Sequence, residues 1–131
     1  MNIGGVAARS GVPAKTIRYY ESIGLIPKAA RSSGGYRTYS DKDLATLRFV
    51  QRARSLGFSV KDVARLLALW RDSHRASAEV HRLALGHVAA IDRKIAELDS
   101  IRRTLVDLTR RCHGDDRPDC PIIDELAGGG D

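Results

Sequence analysis

From about Ala78 to Arg110 the chain runs without a proline and with only Gly86 to weaken a helix. Within that run, apolar residues recur at Ala84, Val88, Ile91, Ile95, Leu98, Ile101, Leu105 and Leu108. Their steps of three and four residues, with one phase slip, are the period of a coiled-coil seam. Such a helix extends roughly 45–50 Å at 1.5 Å per residue, too long to bury its stripe on the small head that the preceding residues can form. It is expected to pair with a second copy rather than fold back on its own domain.

The rest of the chain divides by charge. Residues 1–70 carry twelve Lys and Arg against four Asp and Glu, whereas residues 71–131 carry ten against twelve. The basic half is the candidate polyanion surface. A membrane surface is the weaker partner, because neither a bulky basic amphipathic helix nor a lipidation signal is present. Aromatic residues make up 5% and charged residues 29% of the sequence, which suits helices with solvated faces rather than a β-sandwich core. The only low-complexity stretch is the Gly128-Gly129-Gly130 tail, expected to fray.

Within the basic half, Ile3, Val6, Ala7 and Ala8 recur at helical spacing until Ser10-Gly11. Pro13 then suits the first turn of a second helix, where its missing N–H costs nothing, and Gly24 ends it. Two short helices joined by a glycine turn form a helix-turn-helix candidate. The second helix carries Lys15, Arg18, Tyr19 and Tyr20, donors for phosphates or base edges, with Ile17 assigned to the core. Adjacent helical residues point about 100° apart, so one of the two tyrosines should pack inward.

Downstream, Arg31-Ser32-Ser33-Gly34-Gly35-Tyr36-Arg37 reads as a hairpin, a wing that sets Tyr36 and Arg37 beside its tip. Ser40 with Asp43, and Ser59 with Asp62, are helix starts. The first of these helices carries Leu44, Leu47, Val50 and Ala53. The second is expected to bury Val63, Leu66, Leu67 and Trp70. Expected DNA contacts are Lys15, Arg18, Tyr20, Tyr36 and Arg37, with Arg31 and Arg54 on phosphates. Lys28, Arg48, Arg52 and Lys61 are assigned to solvated faces.

The only cysteines, Cys112 and Cys120, flank a short loop bent by Gly114 and Pro118. Two thiolates under-fill a zinc site and suit a soft ion such as Cu(I). A structural disulfide and two unrelated thiols are the alternatives. The first is disfavoured because no signal or membrane-spanning run is present, which points to the reducing cytoplasm. His113 is assigned to exposed loop. Asp115, Asp116 and Asp119, hard donors, are assigned to shaping the turn. Pro121 is expected to start a short last helix through Leu126.

Taken together, Thr16-Ile17-Arg18-Tyr19-Tyr20-Glu21 with Gly24-Leu25, the wing Gly35-Tyr36-Arg37 with Tyr39, and a long helix ending in a cysteine loop resemble MerR-family transcription regulators. The ending Cys112-x-Gly114-Asp115-Asp116-x-x-Asp119-Cys120-Pro121-Ile122-Ile123 is similar to the copper-efflux branch, which responds to Cu(I), Ag(I) and Au(I). The resemblance implies a mainly α protein. It would comprise a winged helix-turn-helix DNA-binding domain at residues 1–75, an antiparallel coiled-coil dimerisation helix at 76–111, and a metal-binding loop, short helix and flexible tail at 112–131. It also gives a role to Ser77: members sensing divalent ions place a third cysteine there, and monovalent-ion sensors a serine. In several relatives a lysine lies near the metal early in the long helix, and His81 takes that position here.

On this resemblance the chain is a cytoplasmic homodimer that holds Cu(I), or Ag(I) or Au(I), between Cys112 and Cys120. It would distort the spacer of double-stranded promoter DNA so that RNA polymerase can engage both promoter elements. No catalytic constellation is present, so an enzyme is not expected. Two other readings share the DNA-binding head. In one the cysteine pair is a thiol redox sensor, with Arg110 and Arg111 lowering the pKa of Cys112. In the other the chain is an architectural DNA-binding protein with a passive loop.

Overall fold

The computed structural model describes residues 1–128, so Gly129 and Gly130 of the expected frayed tail lie outside the described residues. Six helices and one hairpin follow in the order α1 (Ile3–Ser10), α2 (Ala14–Ser22), β1 (Ala30–Arg31), β2 (Arg37–Thr38), α3 (Asp41–Ser55), α4 (Val60–Arg71), α5 (Ser77–Arg111) and α6 (Pro121–Leu126). They form two compact units, Met1–Leu83 and the chain from Ala84 onward.

Local signals set the helix ends of the first unit. Asn2 caps α1 by accepting the Gly5 N–H at 2.8 Å. Gly11 closes the same helix at φ 77, a left-handed conformation that a Cβ would disfavour, with its N–H on the Ala7 carbonyl. Pro13 sits at the N-cap of α2, one position before the helical turn expected for it. Before α3 the capping box is complete. Ser40 Oγ accepts the Asp43 N–H at 3.1 Å, and Asp43 Oδ2 accepts the Ser40 N–H at 2.9 Å. Ser59 caps α4 through the Asp62 N–H at 3.1 Å.

Helix α1 packs on α2 and α3, and α3 on α4. Their shared core holds Val6, Val12, Ile17, Tyr20, Leu25, Ile26, Tyr39, Leu44, Leu47, Val50, Ala53, Val63 and Leu67. Burying a side chain the size of Ile17 or Leu47 contributes about 1.5–3 kcal/mol. Trp70 departs from the expected burial: it is 42% exposed and lies flat on Phe49, ring centroids 4.5 Å apart. The core filled by Val63 and Leu67 leaves the end of α4 at its edge, where a large ring covers the partly buried Phe49 instead of entering the core.

The wing pairs in antiparallel register, Ala30 with Thr38 and Arg31 with Arg37. Gly35 turns its tip at φ 81, and Ser32 N–H donates to the Tyr36 carbonyl at 2.7 Å. At its base the buried Tyr39 hydroxyl donates to Oε1 of the buried Glu21 at 2.5 Å. Burial, then the hydrogen bond and charge of Glu21, push the Tyr39 pKa up to about 12 from its ordinary 10.0, with Arg37 opposing the rise. The folded state therefore holds this proton more tightly than the unfolded chain does. The resulting stability is complete below the unfolded pKa and is lost as pH rises through the folded one. Melting temperature should accordingly fall more steeply for wild type than for Tyr39→Phe between pH 10 and about 12, as a calorimetric pH series would show.

In the second unit the seam side chains Val88, Ile91, Ile95, Leu98, Ile101 and Leu105 are 40–59% exposed. Leu108, expected to continue that seam toward a second copy, is instead 4% exposed and buried within its own chain. The outer surface of α5 carries the ion pairs Asp99–Arg103 and Asp107–Arg111, the i,i+4 pairs of a solvated helix face. Among the described residues no helix is long and apolar enough to cross a membrane.

Candidate metal centre and nucleic-acid interface

Cys112 directly follows the last turn of α5, its N–H on the Leu108 carbonyl at 3.1 Å, and Cys120 is the N-cap residue of α6. The intervening loop turns through Gly114 at φ 66. Asp115 braces it, accepting the Arg117 N–H at 3.0 Å and the Arg117 Nε–H at 2.9 Å. That is the turn-shaping role expected of this carboxylate. The loop brings the two sulfurs to 3.7 Å, both as free, half-buried thiols.

Cys120 is held below the ordinary thiol pKa of 9.0, chiefly by the backbone amide of Ile123, although its side chain makes no cap hydrogen bond at the start of α6. Burial opposes this, the Cys112 thiol and the Ile122 N–H add to it, and the Asp124 carboxylate works against it. Pro121 at the first helical position has no N–H to offer, so the backbone amides acting on that sulfur are those of Ile122 and Ile123. A pre-stabilised thiolate is a better soft-metal ligand because less proton competition must be overcome.

No group of three or more His, Cys, Asp or Glu that could hold a metal occurs among the described residues. His113 is exposed, as expected. Ser77 opens α5 and, with His81, Arg75, Ala78 and Val80, lines an open depression in the first unit. Both Ser77 and His81 are exposed. Among the described residues of this chain, two sulfurs stand together without a third candidate ligand, a donor pair whose chemistry is compatible with a soft, low-coordinate ion.

The basic surface is built on α2 and the wing. Lys15, Arg18, Tyr19 and Ser22 are exposed and spaced i, i+3, i+4 and i+7, one outward stripe of α2. Tyr20, expected to touch DNA, is corrected by its burial: it is 7% exposed in the core, whereas Tyr19 is 54% exposed. Tyr20 lies three residues after the fully buried Ile17 on the inner face, and that spacing was the sequence signal for which tyrosine turns in.

Tyr36, at the wing tip, is 78% exposed. Arg31 braces the wing through the Gly35 carbonyl at 2.8 Å, and Arg54 Nη1 donates to the Phe58 carbonyl at 2.6 Å. Both side chains remain exposed. Arg37 is half-buried and lies 3.7 Å from Glu21. Lys28, Arg48, Arg52 and Lys61 are exposed, as expected of solvated faces.

Comparison with known proteins decides the family. Residues 1–69 match the model described as "MerR HTH family regulatory protein", and residues 44–108 match "MerR, DNA binding". The chain belongs to the MerR family. It is 59% identical over 129 residues to "Heavy metal-dependent transcription regulator 2" of Rhizobium meliloti, covering 98% of this chain and 88% of that one. It is 45% identical over 128 residues to the "HTH-type transcriptional regulator CueR" of Salmonella typhimurium, covering 98% and 93%. Among solved structures it resembles the transcription regulator PbrR691 of Ralstonia metallidurans CH34, crystallised with lead(II). The TM-score is 0.82 at 33% identity, covering 96% of this chain and 98% of that one. This MerR-family chain is a transcription regulator and not an enzyme, and the mainly helical, winged helix-turn-helix architecture is as expected.

Proposed function

We propose that this MerR-family regulator binds promoter DNA as a homodimer and activates metal-efflux genes when Cu(I), or Ag(I) or Au(I), is held by Cys112 and Cys120. The observation that carries the reading is the 3.7 Å approach of the two sulfurs, with no third candidate ligand grouped with them among the described residues. The names of the relatives support metal dependence in general. The soft two-sulfur donor set supports a monovalent ion in particular.

The ion, when bound, supplies a soft cationic link between the two thiolates, leaving the centre with net charge −1. A third thiolate would raise that to −2, a heavier cost where water is excluded. Around the sulfurs, the amides of Ile122 and Ile123 stabilise the Cys120 thiolate, while Asp115 holds the loop. Ser77 and His81 are assigned to ion selectivity at the start of α5. Residues 1–75 serve as the DNA-binding domain, 76–111 as the dimerisation helix and 112–131 as the sensing segment.

On the DNA side, Lys15, Arg18, Tyr19, Tyr36 and Arg37 face the duplex, with Arg31 and Arg54 on phosphates. Two heads tied by one antiparallel coiled coil would grip two half-sites and deform the spacer between them, so deformation energy carries the signal to RNA polymerase. Arg18→Ala should weaken binding to a duplex selected by the wild type by roughly 1–3 kcal/mol without changing metal affinity. Unchanged DNA affinity would remove Arg18 from the interface.

The test of the metal reading is an anaerobic Cu(I) titration against a competing chelator, with copper-edge X-ray absorption on the complex. One tightly held ion per chain with two sulfur neighbours is expected. Weak binding, or several nitrogen and oxygen neighbours, would overturn Cu(I). Reversible disulfide formation controlling transcription in the absence of metal would place the redox reading first, an outcome that the short sulfur separation makes worth measuring.

A further inference from the structure

We propose that Glu21 and Tyr39 are positioning residues for DNA recognition, locking the base of the wing onto α2 so that Arg37 is aimed at a backbone phosphate. This rests on the reading of the wing as a DNA contact and adds the device that orients it.

One carboxylate of α2 gathers the base of the wing. Oε1 of Glu21 accepts the Tyr39 hydroxyl at 2.5 Å, and Oε2 accepts the Ala29 N–H at 3.5 Å. Arg37 Nη1 stands 3.7 Å from Oε2. Ala29 leads into β1, Arg37 opens β2 and Tyr39 follows it, so both strands are tied to one side chain. Glu21 is 6% and Tyr39 4% exposed, which shields these contacts from water.

Arg37 is divided between interior and surface. Its Nη1 is buried and has no hydrogen-bond partner, since 3.7 Å is a charge contact beyond hydrogen-bonding range. Yet 39% of the side chain remains exposed. A guanidinium is a rigid planar fork, so fixing one nitrogen beside Glu21 fixes the plane in which the others lie. Arg37 also stands directly opposite Arg31 in the hairpin register. Like charges facing across strands repel, and a phosphate beside them relieves that repulsion. Holding Arg37 by a buried carboxylate reduces the ordering needed when DNA arrives.

The test uses the full chain, a duplex enriched by the wild-type protein from a randomised pool, and fluorescence anisotropy across a salt series. Arg37→Ala should lower affinity and reduce the slope of log K against log salt by about 0.9, the loss of one phosphate contact. Tyr39→Phe, which removes one hydroxyl, should lower affinity roughly three- to tenfold and reduce the slope by the same amount. In the Arg37→Ala background Tyr39→Phe should cost nothing further, because it acts through Arg37. Glu21→Gln serves as a second probe, with thermal melts confirming that each variant is folded.

Wild-type affinity and slope in Tyr39→Phe, with loss in Arg37→Ala, would overturn the positioning role while leaving the wing contact standing. Equal losses from Tyr39→Phe in both backgrounds would overturn it as well, marking a general structural effect. No loss in Arg37→Ala would overturn both the wing contact at this residue and the inference built on it.

Discussion

Serine at either Cys112 or Cys120 is expected to abolish metal-induced transcription while leaving DNA affinity within about twofold of wild type. With two sulfurs together and no third candidate ligand among the described residues, each substitution removes half of the proposed donor set. The exposed basic stripe of α2 and the wing belong to the other compact unit and keep their own core, so the head should fold and bind as before. The size of the effect follows from population arithmetic. Driving a regulator from about 1:99 to 99:1 between two states requires the ion to bind one state roughly 10⁴-fold more tightly. One thiolate with weak neighbouring donors has little differential affinity to offer, so the switch should fail outright rather than shift its midpoint. In vitro transcription with purified polymerase, beside a DNA-binding titration, measures both quantities. Full induction by both serine variants would remove the cysteine pair from the sensing mechanism.

A comparably large effect is expected on assembly. Val88, Ile91, Ile95, Leu98, Ile101 and Leu105 present a continuous, half-exposed apolar stripe on α5. Covering the exposed part of each recovers about 1 kcal/mol, so six from each of two copies supply on the order of 10 kcal/mol before the cost of association. Aspartate at both Ile95 and Leu98 would place two charges per chain at the middle of that seam, where neither has a partner. Sedimentation equilibrium should then give a monomer at concentrations where wild type is a dimer. Affinity for a two-half-site duplex should fall by orders of magnitude, while circular dichroism retains a folded head. A dimer that survives the double substitution would move the contact surface away from the middle of α5.

How much of this was legible beforehand depended on whether a feature is local. The capping box at Ser40 and Asp43 and the wing glycine at Gly35 each close hydrogen bonds only a few residues away, and Pro121 starts α6 through its own fixed φ. Short-range chemistry is enough to read them. The outward stripe of α2 was half legible. Lys15 and Arg18 were evident from type and spacing, but choosing Tyr19 over Tyr20 needed the i,i+3 relation to Ile17. Helical period places Trp70 on the inner face of α4 but does not specify whether the core has room there, and the ring stays 42% exposed. Periodicity extends the stripe to Leu108, but a periodic pattern carries no information about which copy, or which part of the same copy, covers its last member, and Leu108 is buried within its own chain.

The Glu21 contact with Tyr39 illustrates the remaining gap. Eighteen residues separate the two, and neither residue type announces a partner. By itself the sequence determined the helices, their ends, the basic head, the long seam and a cysteine pair flanking a short loop. Those features follow from side-chain type, periodicity and hydrogen bonds that close within a few residues. Tertiary structure decided which tyrosine faces out, that Arg37 is half-buried against Glu21, and that the sulfurs meet at 3.7 Å. The physical reason is that burial and non-local pairing depend on how separate elements compete for the same space, and that competition is resolved only when the chain packs.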